Sequence, residues 1–173
     1  MYSRQVSLSS GVLLFVFLLQ ETLFSQTHLP FGGFSLFLIF TFTWAALSSP
    51  EVGAACGFGA GFLLDLMSSS KGPMGQWTLV LIIVSFSIAF MRYGDDSLRA
   101  NPLGLVFSVA IATVLALAGY MAIGALLGLD FGTAGGNVRI ILGNGVWTLA
   151  ITPFLLPLIS KLHRTIFETR EHA

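Results

Sequence analysis

Residues 102–129 read PLGLVFSVAIATVLALAGYMAIGALLGL, a long run without a single charged side chain. As a helix rising about 1.5 Å per residue, this run is about 42 Å long. That exceeds the roughly 30 Å hydrocarbon layer of a bilayer, so it can cross a membrane with tilt. The rest of the chain has the same character. Of its 173 residues, 55% are hydrophobic and only 9% are charged, with a mean hydropathy of +0.87. A soluble domain covers its core with roughly a quarter charged residues, so here the surface itself must be apolar.

Working outward from this run, apolar windows bounded by charges, prolines, glycines or polar clusters fall at about 6–24, 31–47, 51–67, 74–91, 102–129 and 138–160. A segment in lipid must satisfy its backbone groups internally, which selects helices. The expected fold is therefore all-α, a polytopic membrane bundle of about six transmembrane helices forming one domain. Ser48, Ser49 and Pro50 break the second window, and Pro50 suits the first turn of the third. Arg92, Asp95, Asp96 and Arg99 form a charged loop after the fourth. Pro153 and Pro157 predict a kink in the sixth, ahead of a polar, helical tail over 161–173. Orientation follows Lys and Arg in short loops. With the N-terminus inside, Arg4, Arg92, Arg99, Lys161, Arg164 and Arg170 fall inside, and only Lys71 and Arg139 outside. Both termini are then cytoplasmic, and the external loops are too short to fold into a domain. A partner must supply whatever acts there.

Eight Lys and Arg balance eight Asp and Glu with no basic block, which argues against nucleic acid as a partner. Cys56 is the single cysteine, so it can form neither an internal disulfide nor a cysteine metal cluster, and it reads as a small apolar residue. The apolar N-terminal stretch has a signal-peptide look, but no small-residue cleavage site follows, and it reads as retained.

The third window carries the sharpest local pattern. Gly53, Gly57 and Gly61 recur every fourth residue and Asp65 continues the row, so all four share one helix face. Glycine at this spacing lets a second backbone approach closely. The neighbour is expected to be a helix of the same chain, with a partner chain as the second reading. Asp65 is expected to cap the following segment, through Lys71 or the amides of the Ser68–Gly75 turn; the alternative, a proton or cation site, has only Glu21 to extend it. In the sixth window Asn144 reads as a packing residue that bonds across helices or to carbonyls freed by Pro153 and Pro157. Gly135, Gly136 and Asn137 read as the turn before that helix. His28, His163 and His172 read as scattered, solvated histidines. The sequence contains no G-x-S-x-G turn, carboxylate pair or clustered metal ligands, so no catalytic activity, cofactor or metal is expected.

The stretch GAACGFGAGFLLDLMSSSKGPMGQWTL over 53–79 resembles the most characteristic region of the rod shape-determining protein MreD family, a glycine-spaced helix followed by a G-x-L-x-D-like segment and a small polar turn. Gly57, Gly61, Leu64, Asp65 and Gly75 match this pattern, while Phe62 stands where leucine is commoner. NGVWTLAITPFLLPLISKLHR over 144–164 is similar to the family's closing helix. The likeness is specific over about fifty residues and loose over the rest. It implies a non-enzymatic component of the bacterial inner (cytoplasmic) membrane, working in cell elongation, rod shape and peptidoglycan synthesis. The implied partners are an MreC-like membrane protein, then RodA, a class B penicillin-binding protein and MreB, besides membrane lipid. The runner-up is a substrate-binding subunit of an energy-coupling-factor vitamin transporter, with Trp44, Trp77 and Trp147 as candidate pocket residues. Against it, the chain has no alanine before Ala45, where such subunits carry small alanine-rich faces.

Overall fold

Helix ends in an apolar environment are set by what satisfies their first amides and last carbonyls, and this chain places its caps accordingly. The computed structural model describes residues 2–20, 22, 34–67, 72–93 and 101–167. The helices are α1 Tyr2–Leu19, α2 Leu36–Leu47, α3 Pro50–Asp65, α4 Gln76–Tyr93, α5 Pro102–Leu126 and α6 Ala134–Phe167. There is no strand among the described residues. The protein is an all-helical bundle in which α4, α5 and α6 are long and apolar enough to cross a membrane.

Several boundaries differ from the sequence reading. α1 starts at Tyr2 rather than near residue 6, and residues 21, 23 and 24 of that window lie outside the described part. α2 begins only at Leu36, because Ser35 caps it: the Ser35 side chain accepts from Leu38 N–H at 3.2 Å. Gln20, at the end of α1, adds a second cap, its Oε1 accepting from Phe37 N–H at 2.6 Å. At twelve residues, α2 is about 18 Å long, too short to cross the hydrocarbon layer unaided. α3 ends at Asp65, and Leu66 and Met67 leave the helix. α4 lies two residues later than expected, so Arg92 is inside the helix and buried rather than in a charged loop. α5 stops at Leu126, where Gly128 turns left-handed at φ +80 and Leu129 N–H returns to the Gly124 carbonyl at 2.9 Å.

α6 departs furthest from expectation. It starts at Ala134, so Gly135, Gly136 and Asn137 are helical rather than a turn. Thr133 caps it, its Oγ1 accepting from Gly136 N–H at 3.4 Å and its carbonyl from Asn137 N–H at 3.1 Å. The cap, typically worth about 1 kcal/mol, offsets part of the roughly 1 kcal/mol that each of the two glycines costs inside a helix. The helix continues unbroken through Pro153 and Pro157 and extends to Phe167, so residues 161–167 belong to it.

The helices are arranged around α2, which touches all five others. Ten of its twelve residues are buried, among them Phe37, Ile39 and Phe42. The outer helices carry their bulk outward: Leu126 is 87% and Phe154 82% exposed. Hydroxyl side chains sit inside instead. Thr41, Thr113 and Thr152 are fully buried, each donating to the carbonyl one turn back on its own helix at 2.6–3.0 Å. Apolar outside with small polar groups inside is the reverse of a water-soluble bundle and is what lipid requires.

Stability should follow the same division. Phe42→Ala removes a fully buried ring and should cost at least about 2 kcal/mol, less than the roughly 3–5 kcal/mol of such truncations in water-soluble cores because lipid removes the transfer-from-water part. Phe154→Ala at the exposed surface should stay within about 0.5 kcal/mol. Denaturant titration of the detergent-solubilised protein measures both, and equal losses would contradict the assignment of inside and outside.

Candidate functional site

The glycine row of α3 meets α4, and these two antiparallel helices make the most extensive contact of any pair. A Cβ at Gly53 would lie 2.7 Å from the Ala89 Cβ and 3.1 Å from the Ser85 carbonyl oxygen. At Gly57 it would run into the Leu81 carbonyl oxygen, and at Gly61 into the Thr78 Cα. Over three successive turns no α3 side chain stands between the two helices, and at Gly57 and Gly61 the nearest α4 atoms are backbone. Gly59, on the other side of α3, faces open space, so only the row at every fourth residue makes this close approach. That opposite side shows Phe58 and Phe62, stacked with centroids 6.2 Å apart and 54% and 44% exposed.

Asp65 closes the row. Its Oδ1 accepts from Trp77 N–H at 3.0 Å, and its Oδ2 accepts from Thr78 N–H at 3.0 Å and from the Thr78 hydroxyl at 2.6 Å. The remaining amides of the first turn of α4 are held by the preceding loop: Gln76 N–H by the Pro73 carbonyl at 3.2 Å, and Leu79 N–H by the Gly75 carbonyl at 2.9 Å. The amides of Gln76, Trp77 and Thr78 are thus held from outside the helix, and Leu79 N–H makes the first intrahelical bond. The carboxylate also sits at the positive end of the α4 dipole, the favourable place for an anion. The amides it caps lie just beyond the Ser68–Gly75 turn, and Lys71 is outside the described residues.

Two further clusters were not legible beforehand. At the Asp65 end, Trp77 stacks on Tyr120 with centroids 4.0 Å apart and planes 12° apart, and Phe131 meets Tyr120 edge-on at 5.8 Å. Gly72 N–H donates to the Tyr120 hydroxyl at 3.0 Å, and Gln76 Nε2 donates to the Tyr120 carbonyl at 2.6 Å. This pins the α3–α4 loop and the start of α4 to α5. The available signal was a lone tyrosine in the apolar 102–129 run. At the opposite end, Ser48 Oγ donates to the Trp44 carbonyl at 2.8 Å and lies 3.1 Å from His163 Nε2, whose ring meets Trp44 edge-on at 5.0 Å. With its proton given to Trp44, Ser48 accepts from His163 Nε2–H. His163 is thus a packed residue joining α2 to α6, not a solvated one; His28 and His172 lie outside the described residues.

The other predicted positions stand apart from the glycine row. Asn144 is buried and its Nδ2 donates to the Ile140 carbonyl at 3.1 Å, one turn back on α6. Pro153 lies in the same helix, two turns further on. The three tryptophans pack with different rings: Trp44 with Phe40, Trp77 with Tyr120, and Trp147 with Phe34 at 6.5 Å. Among the described residues no three His, Cys, Asp or Glu side chains come together. The chain matches no family profile, no curated protein and no solved structure. The class that fold and packing define is a helical membrane bundle closed by an α3–α4 hairpin.

The bonds of Asp65 define its test. Asp65→Ala strips three bonds from a helix start and should cost about 2 kcal/mol. Asp65→Asn keeps acceptor capacity through one oxygen and should lose less than half as much. Unfolding of the two variants in detergent checks the order; an Asn variant as damaged as the Ala variant would show that the charge, not the cap, is what the site uses.

Proposed function

We propose that this chain is a non-enzymatic, multi-pass component of a bacterial cytoplasmic membrane, belonging to a cell-elongation complex of the MreD kind, with about six crossings and both termini on the cytoplasmic side. One observation carries the reading. The MreD-like stretch 53–79 coincides with the most closely packed part of the bundle, and its residues have packing roles there. Gly57 and Gly61 admit the α4 backbone, Asp65 caps α4, Leu64 packs on the core and Gly75 makes a turn at φ +98. A pattern spent on shape rather than on reacting groups suits a scaffold.

The glycine face is taken by the chain's own α4, so in this reading an MreC-like single-span partner meets a lipid-facing surface. The Phe58 and Phe62 side of α3 is the favoured place, since exposed aromatic anchors concentrate binding energy. RodA, a class B penicillin-binding protein and MreB would join through that pair.

The test is co-purification from a rod-shaped bacterium expressing the tagged chain. Recovery of a single-span protein with an extracytoplasmic domain is expected. The double variant Phe58→Ala, Phe62→Ala should lower that recovery about fivefold or more at unchanged protein level, and loss of the chain should round the cells. Normal cell shape with no such partner would refute the reading, and recovery of an ATPase pair would favour vitamin transport.

A further inference from the structure

α6 is the apolar spanning helix that the bundle covers least: 17% of its most apolar stretch is buried inside, against 39% in α4 and in α5. Along one side Val146, Leu149, Ala150, Pro153, Phe154 and Pro157 are all exposed. Two of these are prolines one turn apart, inside a helix that continues through both. Proline has no N–H, so the carbonyls four residues back, those of Leu149 and Pro153, lose the donor that a helix supplies. The side-chain donors of α6 nearest to them are spent elsewhere. Thr148 and Thr152 are fully buried on the inward side, and the Thr152 hydroxyl donates to the Thr148 carbonyl at 2.6 Å. Asn144, also buried, donates to the Ile140 carbonyl. Residues 154–158 read FLLPL and carry no side-chain donor.

Depth decides what can serve these two carbonyls. Leu149 lies midway along the apolar window 138–160, about 16 Å of helix from either end, and Pro153 is about 10 Å from the nearer end. The hydrocarbon layer is about 30 Å thick and holds no water to bond a carbonyl. Headgroup donors stay at its edges, and acyl chains have none. A donor at this depth comes from a protein side chain.

We propose that this side of α6 docks a membrane-spanning helix of another protein, one that carries hydroxyl side chains one turn apart and donates them to the Leu149 and Pro153 carbonyls. Ala150 and the flat proline rings let a second helix come close, and Phe154, 82% exposed, stands beside them as an anchor. The surface is on a different helix from the Phe58 and Phe62 side of α3. The inference needs only that α6 crosses a bilayer, so it holds or fails independently of the elongation reading.

Two model peptides serve as probes. Both are lysine-flanked leucine–alanine helices of about 20 residues, one with two serines four residues apart at its centre and the other with alanines there. Each carries a dansyl label and is mixed with the full chain in phosphatidylcholine vesicles, where energy transfer from the chain's tryptophans reports association. The serine peptide should bind about sevenfold more tightly than the alanine peptide, the worth of two average hydrogen bonds between membrane helices. The double variant Pro153→Leu, Pro157→Leu restores both N–H groups and should abolish the preference with helical content undiminished. Ala150→Leu leaves both carbonyls open but holds a second helix off, and should bring serine-peptide binding down to the level of the alanine peptide. Equal binding of the two peptides by the wild type, or no binding of either, would overturn the proposal. So would a preference that survives in either variant, or a photo-crosslinker at Phe154 that captures lipid or a second copy of this chain in the presence of the serine peptide.

Discussion

The bundle depends on the contact between α3 and α4, where no α3 side chain stands between the two helices. Lipid offers helices no hydrophobic reason to associate, because the acyl chains are as apolar as leucine. Close packing and hydrogen bonds must hold them instead. Gly53, Gly57 and Gly61 bring the α4 main chain against α3 over three turns, and Asp65 fastens the end of that contact by holding the first amides of α4. The glycines determine how near the helices come, and the carboxylate fixes their register.

The same constraint explains the other helix ends. A side chain from the end of one helical segment caps the start of the next at two places: Gln20, directly after α1, serves α2, and Asp65 of α3 serves α4. α5 and α6 carry their caps just ahead of themselves, as Asn101 and Thr133. Crossed caps of the first kind tie neighbouring helices together while satisfying their amides. That lets a helix as short as α2 stand in the middle of the bundle with both ends held, by Gln20 and Ser35 at its start and by the Ser48–His163 bond at its finish.

Most of the class and part of the site were legible in the sequence, and the divisions are physical ones. Long uncharged runs identify helices in lipid whatever their neighbours do: six crossing helices were expected, and the described residues form six helices, three of them long and apolar enough to cross. The glycine row and Asp65 were legible because their spacing alone puts them on one face. Helix ends were less so. Charge marks the limit of the hydrocarbon, not of the helix, so Arg92 was read as a loop residue although α4 contains it. Gly135 and Gly136 were read as a turn because glycine usually breaks helices, but Thr133 initiates one through them. Contacts between distant segments, such as Ser48 with His163 or Gly72 with Tyr120, carry no local pattern and appear only once the helices are assembled.

On this account the chain is a packed membrane element whose outward aromatic and apolar faces are left for lipid and protein neighbours. The most direct measurement compares two glycines of the same helix. Gly61→Leu and Gly59→Leu add the same side chain to α3, one against the α4 backbone and the other into open space. If the α3–α4 contact holds the bundle, Gly61→Leu should prevent cooperative unfolding in detergent or lower stability by 3 kcal/mol or so, on the scale of severe overpacking, while Gly59→Leu unfolds like the wild type. Equal behaviour of the two variants would contradict the account.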